Sequence, residues 1–335
     1  IKVFSGGGEK FTEDVERAVE RIIARHQWQI APSAVEPERR QDLLDLYMRH
    51  LEAVAPDIGT LAGTIAIDCA NGATTTVAPS LFRLLGLSVS VIGDQPDGRN
   101  INLNCGSTHP DRLARTVVEQ ECRIGVAFDG DGDRAIFVDD RGAIVNGDAV
   151  LYMCARQLKQ EGRLRGNAVV ATVMSNIGLE LALRDLGVDL VRCAVGDKYV
   201  MEEMAARGLV LGGEQSGHVI FADYLFTGDG LCTALNVLRT MTLTGRSLAD
   251  LISGLVTFPQ VLVNVRVKER VEVRDVPSLA ASIERVESLM AGQGRLLVRY
   301  SGTEPLLRIM IEGRDESKIQ AWAREIAQSA TAALG

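Results

Sequence analysis

The hydrophobic positions of the chain follow two periods in alternation, and this predicts strands interleaved with helices. In the first half, short apolar runs predict strands over residues 64–69, 87–92 and 124–128. Segments with helical spacing lie between them, over 77–85 and 112–120. Such alternation predicts a parallel sheet with helices on both faces, in which ligands bind at the carboxyl ends of the strands.

The second half repeats this rhythm and then changes. Residues 149–258 again alternate between helical and strand-like runs, with strands predicted over 168–173, 190–194 and 209–211. After Pro259, the pattern predicts three strands that form an antiparallel sheet covered by two helices. The predicted fold class is therefore α/β, with two mixed α/β sandwich domains followed by a C-terminal α+β domain.

Composition narrows the function classes. The 335 residues carry a net charge of −8, which argues against a general nucleic-acid partner or an acidic membrane surface. An anionic substrate would need a locally basic pocket. No apolar run approaches the length that crosses a bilayer, and the six cysteines form no C-x-x-C pair. We therefore expect a cytoplasmic protein with no nucleic-acid or membrane partner.

The most informative motif is Asp129-Gly130-Asp131-Gly132-Asp133-Arg134, between two predicted strands. Its three carboxylates would repel one another unless a hard cation neutralised them, which predicts a Mg²⁺ site on Asp129, Asp131 and Asp133. An Asp-Gly hairpin turn is the simpler alternative. The calcium loop of an EF-hand is excluded, because Arg134 stands where that loop requires glycine and strands replace the flanking helices.

Two further loops carry candidate chemistry. In the segment 299–305, a guanidinium, two hydroxyls and backbone N–H groups could hold a phosphate, whereas the alternative is a polar hairpin loop. The candidate phosphate ligands are Arg299, Ser301, Gly302, Thr303 and Arg308.

The segment 213–218 follows a predicted strand. Its alternating Glu214 and Ser216 could bind vicinal sugar hydroxyls, and His218 on the same side could act as a general acid or base. A histidine with a purely structural role is the alternative for His218. Lys198, in a loop before a helix, is either a phosphate or hydroxyl ligand or an ordinary surface lysine.

Taken together, the loops DGDGDR at 129–134, GEQSGH at 213–218 and RYSGTEP at 299–305 closely resemble the α-D-phosphohexomutase family. The resemblance covers almost the whole chain. It implies a four-domain phosphohexomutase fold, in which domain two binds one Mg²⁺, domain three contacts the sugar and domain four holds the distal phosphate of a phosphosugar. The corresponding boundaries here are 1–30 for a remnant of domain one, and 31–148, 149–258 and 259–335 for domains two to four.

The resemblance also assigns roles by position. It implies that Asp129, Asp131 and Asp133 ligate the metal and that Arg134 steadies the phosphate, with His218 and Lys198 lining the catalytic cleft. Glu214 and Ser216 would contact the sugar. The stretch after Ser301 is most similar to the branch that interconverts glucosamine 6-phosphate and glucosamine 1-phosphate through a phosphoserine and a bisphosphate. Mannose or glucose phosphates are the alternative substrates.

One feature departs from the family pattern. The family's phosphoserine loop has no counterpart in these residues, and Ile1-Lys2-Val3-Phe4 starts with a strand-like run. We therefore expect most of domain one to lie upstream and the chain by itself to be inactive. A naturally short, inactive phosphosugar-binding protein is the alternative. The sequence leaves the oligomeric state open, and a homodimer is one assembly that it allows.

Overall fold

The computed structural model describes residues 5–6, 11, 13–25, 40–290, 294–301 and 304–335. The chain divides into two compact units, Ile1–Asp45 and Leu46–Gly335. The first contains helix α1, Glu13–Ala24, and the next helix in the chain is α2, Gln41–Glu52. Within the part of the chain that the structure describes, all the strands belong to the second unit.

The first sheet has five strands in the order β2-β1-β3-β4-β5. The strands β1, β2 and β3 are parallel, whereas β4 and β5 continue the sheet as antiparallel hairpins. Its elements are β1 (Thr64–Asp68), α3 (Val77–Leu84), β2 (Ser88–Ile92), α4 (Asp111–Glu119), β3 (Ile124–Phe128), β4 (Ala135–Val138) and β5 (Ile144–Val145).

The second sheet repeats this arrangement in the order β7-β6-β8-β9, with β9 antiparallel to β8. The strand that corresponds to β1 is β6, and β8 and β9 correspond to β3 and β4. Its elements are α5 (Gly147–Gln160), β6 (Ala168–Thr172), α6 (Ile177–Asp185), β7 (Asp189–Cys193), α7 (Asp197–Arg207), β8 (Leu211–Gly213), β9 (Val219–Phe221), α8 (Gly230–Thr244) and α9 (Leu248–Ile252).

The C-terminal sheet is fully antiparallel, in the order β10-β12-β11. Its elements are β10 (Gln260–Arg266), α10 (Pro277–Met290), β11 (Gly294–Tyr300), β12 (Leu306–Gly313) and α11 (Glu316–Leu334). Short 3₁₀ turns occur at Ile58–Thr60, Ala73–Thr75, Arg165–Asn167 and Val273–Asp275.

The apolar cores follow a different division from the sheets. One continuous cluster includes Phe82 and Phe128 from the first sheet region and Met153 and Leu235 from the second. The C-terminal sheet has a separate core, in which β12 packs against the helices α10 and α11. The two α/β sheets are thus joined through buried apolar surface, and the C-terminal sheet is built around its own.

The structure confirms the mixed α/β class and the C-terminal α+β domain. The parallel strands that the alternation predicts are present as β1, β2 and β3 and as β6, β7 and β8, and the chain adds antiparallel strands after β3 and after β8. The strand predicted over 209–211 lies at Leu211–Gly213 instead. At Gly212, a Cβ would lie 2.6 Å from Met204 Sδ, so helix α7 packs closely against this strand. Among the described residues, no helix has the length and apolar character that spanning a membrane requires.

Candidate active site

The Asp loop, residues 129–134, joins β3 to β4 at the carboxyl end of β3. The buried Asp129 organises it, since its Oδ1 accepts hydrogen bonds from the backbone N–H groups of Gly132 and Arg134, both at 3.1 Å. Gly132 has φ of +78°, a backbone conformation that favours glycine. One carboxylate oxygen from each of Asp129, Asp131 and Asp133 lies within 4.8 Å of the other two.

The electrostatics of this loop favour an added positive charge. Burial raises the pKa of the Asp129 carboxyl to about 6, and a hydrogen bond with Asp131 and the charges of Asp133 and Asp131 add to the effect. Arg134 compensates only in part, with Nε 3.9 Å from Asp129 Oδ2 and 3.9 Å from Asp133 Oδ1. Three converging carboxylates form an all-oxygen donor set, which fits a hard dication such as Mg²⁺.

A second loop supports the Asp loop from the side of β1. Ala73 donates its backbone N–H to the carbonyl of Gly130 at 2.8 Å. The neighbouring Gly72 lies so close that a Cβ there would be 2.3 Å from the same carbonyl oxygen. Asn102, whose φ is +57°, covers the other side of Gly130. The Asp loop is therefore held by a close backbone contact on one side and by side chains on the other.

The sugar loop, residues 213–218, has the corresponding position in the second sheet, between β8 and β9. Glu214 N donates to His218 O at 2.8 Å, and Gly217 N donates to Glu214 O at 3.0 Å, which closes a tight turn. Ser216 is exposed at its tip, and Ser216 Oγ lies 3.5 Å from Glu214 Oε2. The turn thus places one carboxylate and one hydroxyl side by side.

The Asp loop and the sugar loop are in direct contact. Ala135 N donates to Gly217 O at 3.1 Å, and a Cβ at Gly217 would lie 2.4 Å from Ala135 O. Beside this bond, His218 Nδ1 is 3.5 Å from Asp133 Oδ2. The three converging carboxylates and the turn that carries Glu214 and Ser216 are therefore next to each other.

His218 is enclosed, with 4% of its side chain exposed. Its Nε2 lies 4.0 Å from Asp197 Oδ2, so the ring stands between the carboxylates of Asp133 and Asp197. Gly228 lies against the ring, where a Cβ would be 2.1 Å from Nε2. This geometry fixes the orientation of the imidazole.

Lys198 lies in the first turn of α7, at the rim of the same region. Its Nζ is 3.9 Å from Glu202 Oε1 and 6.0 Å from the centre of the Tyr199 ring. The loop before α7 is connected to the sugar loop, because Gly196 N donates to Glu214 Oε1 at 3.1 Å. Lys198 is thus two residues from a direct partner of the sugar loop.

The third candidate loop joins β11 to β12, and its Gly302 and Thr303 lie outside the described residues. Arg299 and Arg308 are directly opposite each other on these strands. Like charges that face each other across strands repel, so an anion between them would stabilise the pair. The buried Ser301 closes the strand end, with its N–H donated to Leu306 O at 2.8 Å. Arg308 also pairs with Glu304, at 3.0 Å.

The described residues next to this C-terminal loop contact the second α/β sheet. Arg299 Nη2 lies 3.9 Å from Met174 Sδ, and the two side chains line a small pocket. Met174 belongs to the segment that follows β6, at the same carboxyl edge as the sugar loop.

Models of known protein domains match the sequence over each of the three sheets. Two models of phosphoglucomutase/phosphomannomutase alpha/beta/alpha domains match, domain II over residues 45–142 and domain III over residues 146–258. The phosphoglucomutase/phosphomannomutase C-terminal domain matches residues 262–329. The chain belongs to the phosphoglucomutase/phosphomannomutase family. The matched models are those of domains II, III and IV, and none of domain I matches within these 335 residues.

Relatives across this mutase family give a consistent name. A phosphoglucosamine mutase of Solibacter usitatus is 47% identical over 328 residues, which is 98% of this chain and 73% of that protein. Further bacterial proteins with the same name are 44–46% identical. The members of this family are intramolecular phosphotransferases.

Solved structures of the family share the fold. A phosphoglucomutase/phosphomannomutase family protein of Burkholderia thailandensis superimposes with a TM-score of 0.74 at 21% identity, over 96% of this chain and 71% of that one. An N-acetylphosphoglucosamine mutase of Aspergillus fumigatus, solved with GlcNAc-6P and magnesium, gives 0.70 at 20% identity, over 90% and 68%. At these identities the likeness concerns the fold.

Sequence reasoning missed three residues that hold the site of this mutase-family chain together. Asp197 faces His218, and Gly228 makes room for its ring. Arg270 donates to the carbonyls of Ser301 and Glu304, at 2.7 and 3.2 Å, and so fixes the backbone of the third loop. The Gly196-Asp197 and Gly228-Asp229 pairs before helices were visible signals, but Arg270 has no local pattern that marks it.

Proposed function

We propose that this chain is the metal- and sugar-binding part of a phosphoglucosamine mutase, which interconverts glucosamine 6-phosphate and glucosamine 1-phosphate. The observation that carries the proposal is the contact between the Asp loop and the sugar loop, made by Ala135 and Gly217 at 3.1 Å. It brings a carboxylate cluster that fits Mg²⁺ next to groups that fit sugar hydroxyls. The names of the relatives support the amino sugar as the substrate.

The Asp loop has the charge-handling role. Asp129, Asp131 and Asp133 would hold Mg²⁺, which when bound neutralises charge on the phosphoryl group in transfer. Arg134, close to two of these carboxylates, supplies a fixed guanidinium to orient the phosphate. The buried His218 keeps the Asp133 carboxylate in position from behind.

The sugar loop and the third loop provide orientation. The Glu214 carboxylate accepts a hydrogen bond from one hydroxyl of the ring, and the Ser216 hydroxyl donates one to the adjacent hydroxyl. Lys198, at the rim, meets the hydroxyl or phosphate that faces α7. At the other end of the substrate, Arg299, Ser301, Gly302 and Thr303 hold the phosphate that does not react, with Arg308 beside Arg299 as a second guanidinium.

The reaction is a phosphoryl exchange that returns the enzyme to its starting state. A phosphoserine outside these three loops transfers its phosphoryl group to the free hydroxyl of the sugar phosphate. The resulting 1,6-bisphosphate then gives its other phosphoryl group back to the serine. Because the sugar must present either end to the Asp loop, the third loop binds a phosphate dianion in both orientations.

The test compares residues 1–335 with the full-length gene product. Binding of glucosamine 6-phosphate to the chain is titrated in the presence of Mg²⁺, beside mannose 6-phosphate and glucose 6-phosphate. Mutase activity of both proteins is measured with a sugar bisphosphate as primer. We expect the chain to bind the amino sugar phosphate most tightly and only the longer protein to turn over.

Each contrary result identifies a different error. Tighter binding of mannose or glucose phosphate would replace the proposed substrate with a neutral hexose phosphate. Phosphosugar binding without activity in either protein would indicate a binding protein. Turnover by residues 1–335 alone would contradict the phosphoserine account. A variant Arg299→Met is the internal control, because loss of the guanidinium should weaken all three sugar phosphates by a similar factor.

A further inference from the structure

The connector between the second α/β sheet and the C-terminal sheet is bound by one buried side chain. Asn176, which is 4% exposed, precedes helix α6. Its Oδ1 accepts the backbone N–H of Phe258 at 3.0 Å, and its Nδ2 donates to the backbone carbonyl of Phe258 at 3.0 Å. The same Oδ1 also caps α6 by accepting from Gly178 N at 2.9 Å. A single carboxamide therefore holds both main-chain groups of one connector residue.

The carboxamide also reaches the C-terminal sheet. Asn176 Nδ2 donates to Oε1 of the fully buried Glu312, on β12, at 3.3 Å. Glu312 Oε2 accepts from Ile177 N at 3.1 Å and lies 2.9 Å from Nε of Arg295, on β11. Arg295 in turn donates to the carbonyl of Val173 at 2.7 Å. Two strands of the C-terminal sheet are thus tied to the segment 173–177.

On its other side, Asn176 is connected to the sugar loop. Its backbone N–H donates to Oδ2 of the buried Asp148 at 2.8 Å, and Gln215 Nε2 lies 3.5 Å from the same oxygen. Gly147 N also donates to the carbonyl of Gln215, at 3.0 Å. Buried hydrogen-bonded groups therefore run without a break from the sugar loop to Glu312.

The connector approaches α6 as closely as a backbone can. A Cβ at Gly178 would lie 1.8 Å from the carbonyl oxygen of Val256, so only glycine is accommodated there. This contact and the Asn176 bonds leave little freedom for the connector. Residues two apart on a strand share a face, so Glu312 and Arg308 are on the same face of β12, roughly 13 Å apart along the strand. Strand β12 thus links Glu312 to Arg308, which is directly opposite Arg299 on β11.

From these contacts we propose that Asn176 is a positioning residue, which sets the orientation of the C-terminal phosphate loop relative to the sugar loop through Phe258 and Glu312. The consequence for substrate rests on the proposed function, since one phosphosugar would be held by both loops at once. If Asn176 only capped α6, it would stabilise that helix without affecting the orientation of the phosphate loop or the binding of the phosphosugar.

The decisive variants reverse the direction of one hydrogen bond. Asn176→Asp keeps the acceptor for Phe258 N and Gly178 N, but it removes the donor and places a carboxylate against Glu312. In Asn176→Asp/Glu312→Gln, position 312 supplies the donor and position 176 the acceptor, with the net charge of the pair unchanged. The double variant should restore the Glu312 side of the contact. Ser247→Ala is the matched control, because it removes the N-cap of α9, where Ser247 accepts from Asp250 N.

Orientation is measured without any substrate. All six native cysteines are buried, so cysteines introduced at the exposed positions Asp185, at the end of α6, and Ala321, on α11, can be spin-labelled selectively. Pulsed electron paramagnetic resonance then gives the distribution of distances between α6 and the C-terminal unit. We expect Asn176→Asp to shift or widen it, the double variant to restore it, and Ser247→Ala to leave it unchanged.

Binding supplies the second measurement. Asn176→Asp should weaken glucosamine 6-phosphate binding by about tenfold, the size of one lost buried hydrogen bond, and the double variant should recover most of it. If Asn176→Asp does not fold, Glu312→Gln, which adds no charge, is the substitute variant. It should also weaken glucosamine 6-phosphate binding, by a smaller factor.

The outcomes separate the inference from the proposed function. A distance distribution in Asn176→Asp and Glu312→Gln like that of Ser247→Ala overturns the positioning role. A changed distribution, restored in the double variant, supports it even if the unmodified chain binds no sugar phosphate, and in that case the proposed function is what fails.

Discussion

The Asp loop and the sugar loop occupy equivalent places in two sheets of the same strand order, yet they are built differently. The Asp loop binds its own buried carboxylate, Asp129, with two of its backbone N–H groups. The sugar loop instead places its carboxylate, Glu214, against the backbone of another segment, at Gly196. The buried carboxylate of the Asp loop is thus held from within its own loop, whereas the carboxylate of the sugar loop is held by a neighbouring segment.

This difference suits the two kinds of ligand. A cation site needs several like charges held together against their repulsion, which requires a rigid backbone around them. A sugar site needs hydrogen-bonding groups that can meet hydroxyls in two substrate orientations. The common strand order only places each loop at the carboxyl ends of the strands of its sheet, and the residues of each loop supply the chemistry.

The sharpest way to break the comparison is to remove the buried carboxylate charge of the Asp loop. Asp129→Asn should lower Mg²⁺ affinity by a factor on the order of a hundred or more, since loss of a mere supporting partner of a metal ligand already costs 10- to 100-fold. Titration calorimetry with Mg²⁺ measures this. Asp139→Asn is the control, because Asp139 likewise accepts backbone N–H groups, of Arg141 and Ala143, but outside the loop. Equal Mg²⁺ affinities of Asp129→Asn and Asp139→Asn would contradict a metal site at the Asp loop.

A second test separates the two loops physically. Gly217→Ala adds a Cβ that would be 2.4 Å from Ala135 O, at a φ of +92°. We expect the free energy of unfolding to fall by about 3 kcal/mol, from backbone strain and overpacking together. Gly245→Ala has a similar φ of +66° with nothing within 4 Å, so it should cost only about 1 kcal/mol. Chemical denaturation gives both values, and equal losses would mean that the contact between the loops contributes nothing.

A third test asks whether the loops act independently on their ligands. Ser216→Ala should weaken glucosamine 6-phosphate binding by about fivefold, because one hydrogen bond to a hydroxyl is lost. Mg²⁺ affinity should not change. The exposed Ser288→Ala, on α10, should alter neither. A drop in Mg²⁺ affinity with Ser216→Ala would show that the two loops form one site.

The smallest expected effect concerns pH. The pKa of the Asp129 carboxyl in the folded chain is about 6, above the usual value of 3.8. As pH rises from 3.8 through 6, the unfolded carboxyl ionises first, so the cation-free chain loses stability across this window. Mg²⁺ stabilises the ionised carboxylate. The rise in melting temperature on adding Mg²⁺ should therefore be about 2 °C larger at pH 7 than at pH 5. Asp129→Asn should show no such pH dependence, and a larger Mg²⁺ effect at pH 5 would contradict the assignment.

Local pattern was enough to locate the three loops and most helices and strands. The Asp loop was recognisable because alternating Asp and Gly between apolar runs has few uses. The strand β9 and helix α9 were not predicted, since each is a short segment that packing stabilises more than propensity.

Local sequence patterns do not predict the contacts between segments that are far apart in the chain. The enclosure of His218 depends on Gly228 and Asp197, and the grip on Phe258 depends on Asn176, 82 residues earlier. Such pairs become visible only when the sheets have brought their edges together. The sequence marked Asn176 at most as a helix cap.

The separate core of the C-terminal sheet bears on how the protein unfolds. Apolar side chains of both α/β sheets belong to one cluster, so loosening either sheet exposes surface of the other and the two should melt as one cooperative block. The C-terminal sheet, with a core of its own, is expected to open as a second cooperative block once its buried bonds to the segment 173–177 are broken. During such an opening the connector at Phe258 would lose its bonds to Asn176 and become accessible to a protease, and cleavage there would release the C-terminal block as a discrete fragment.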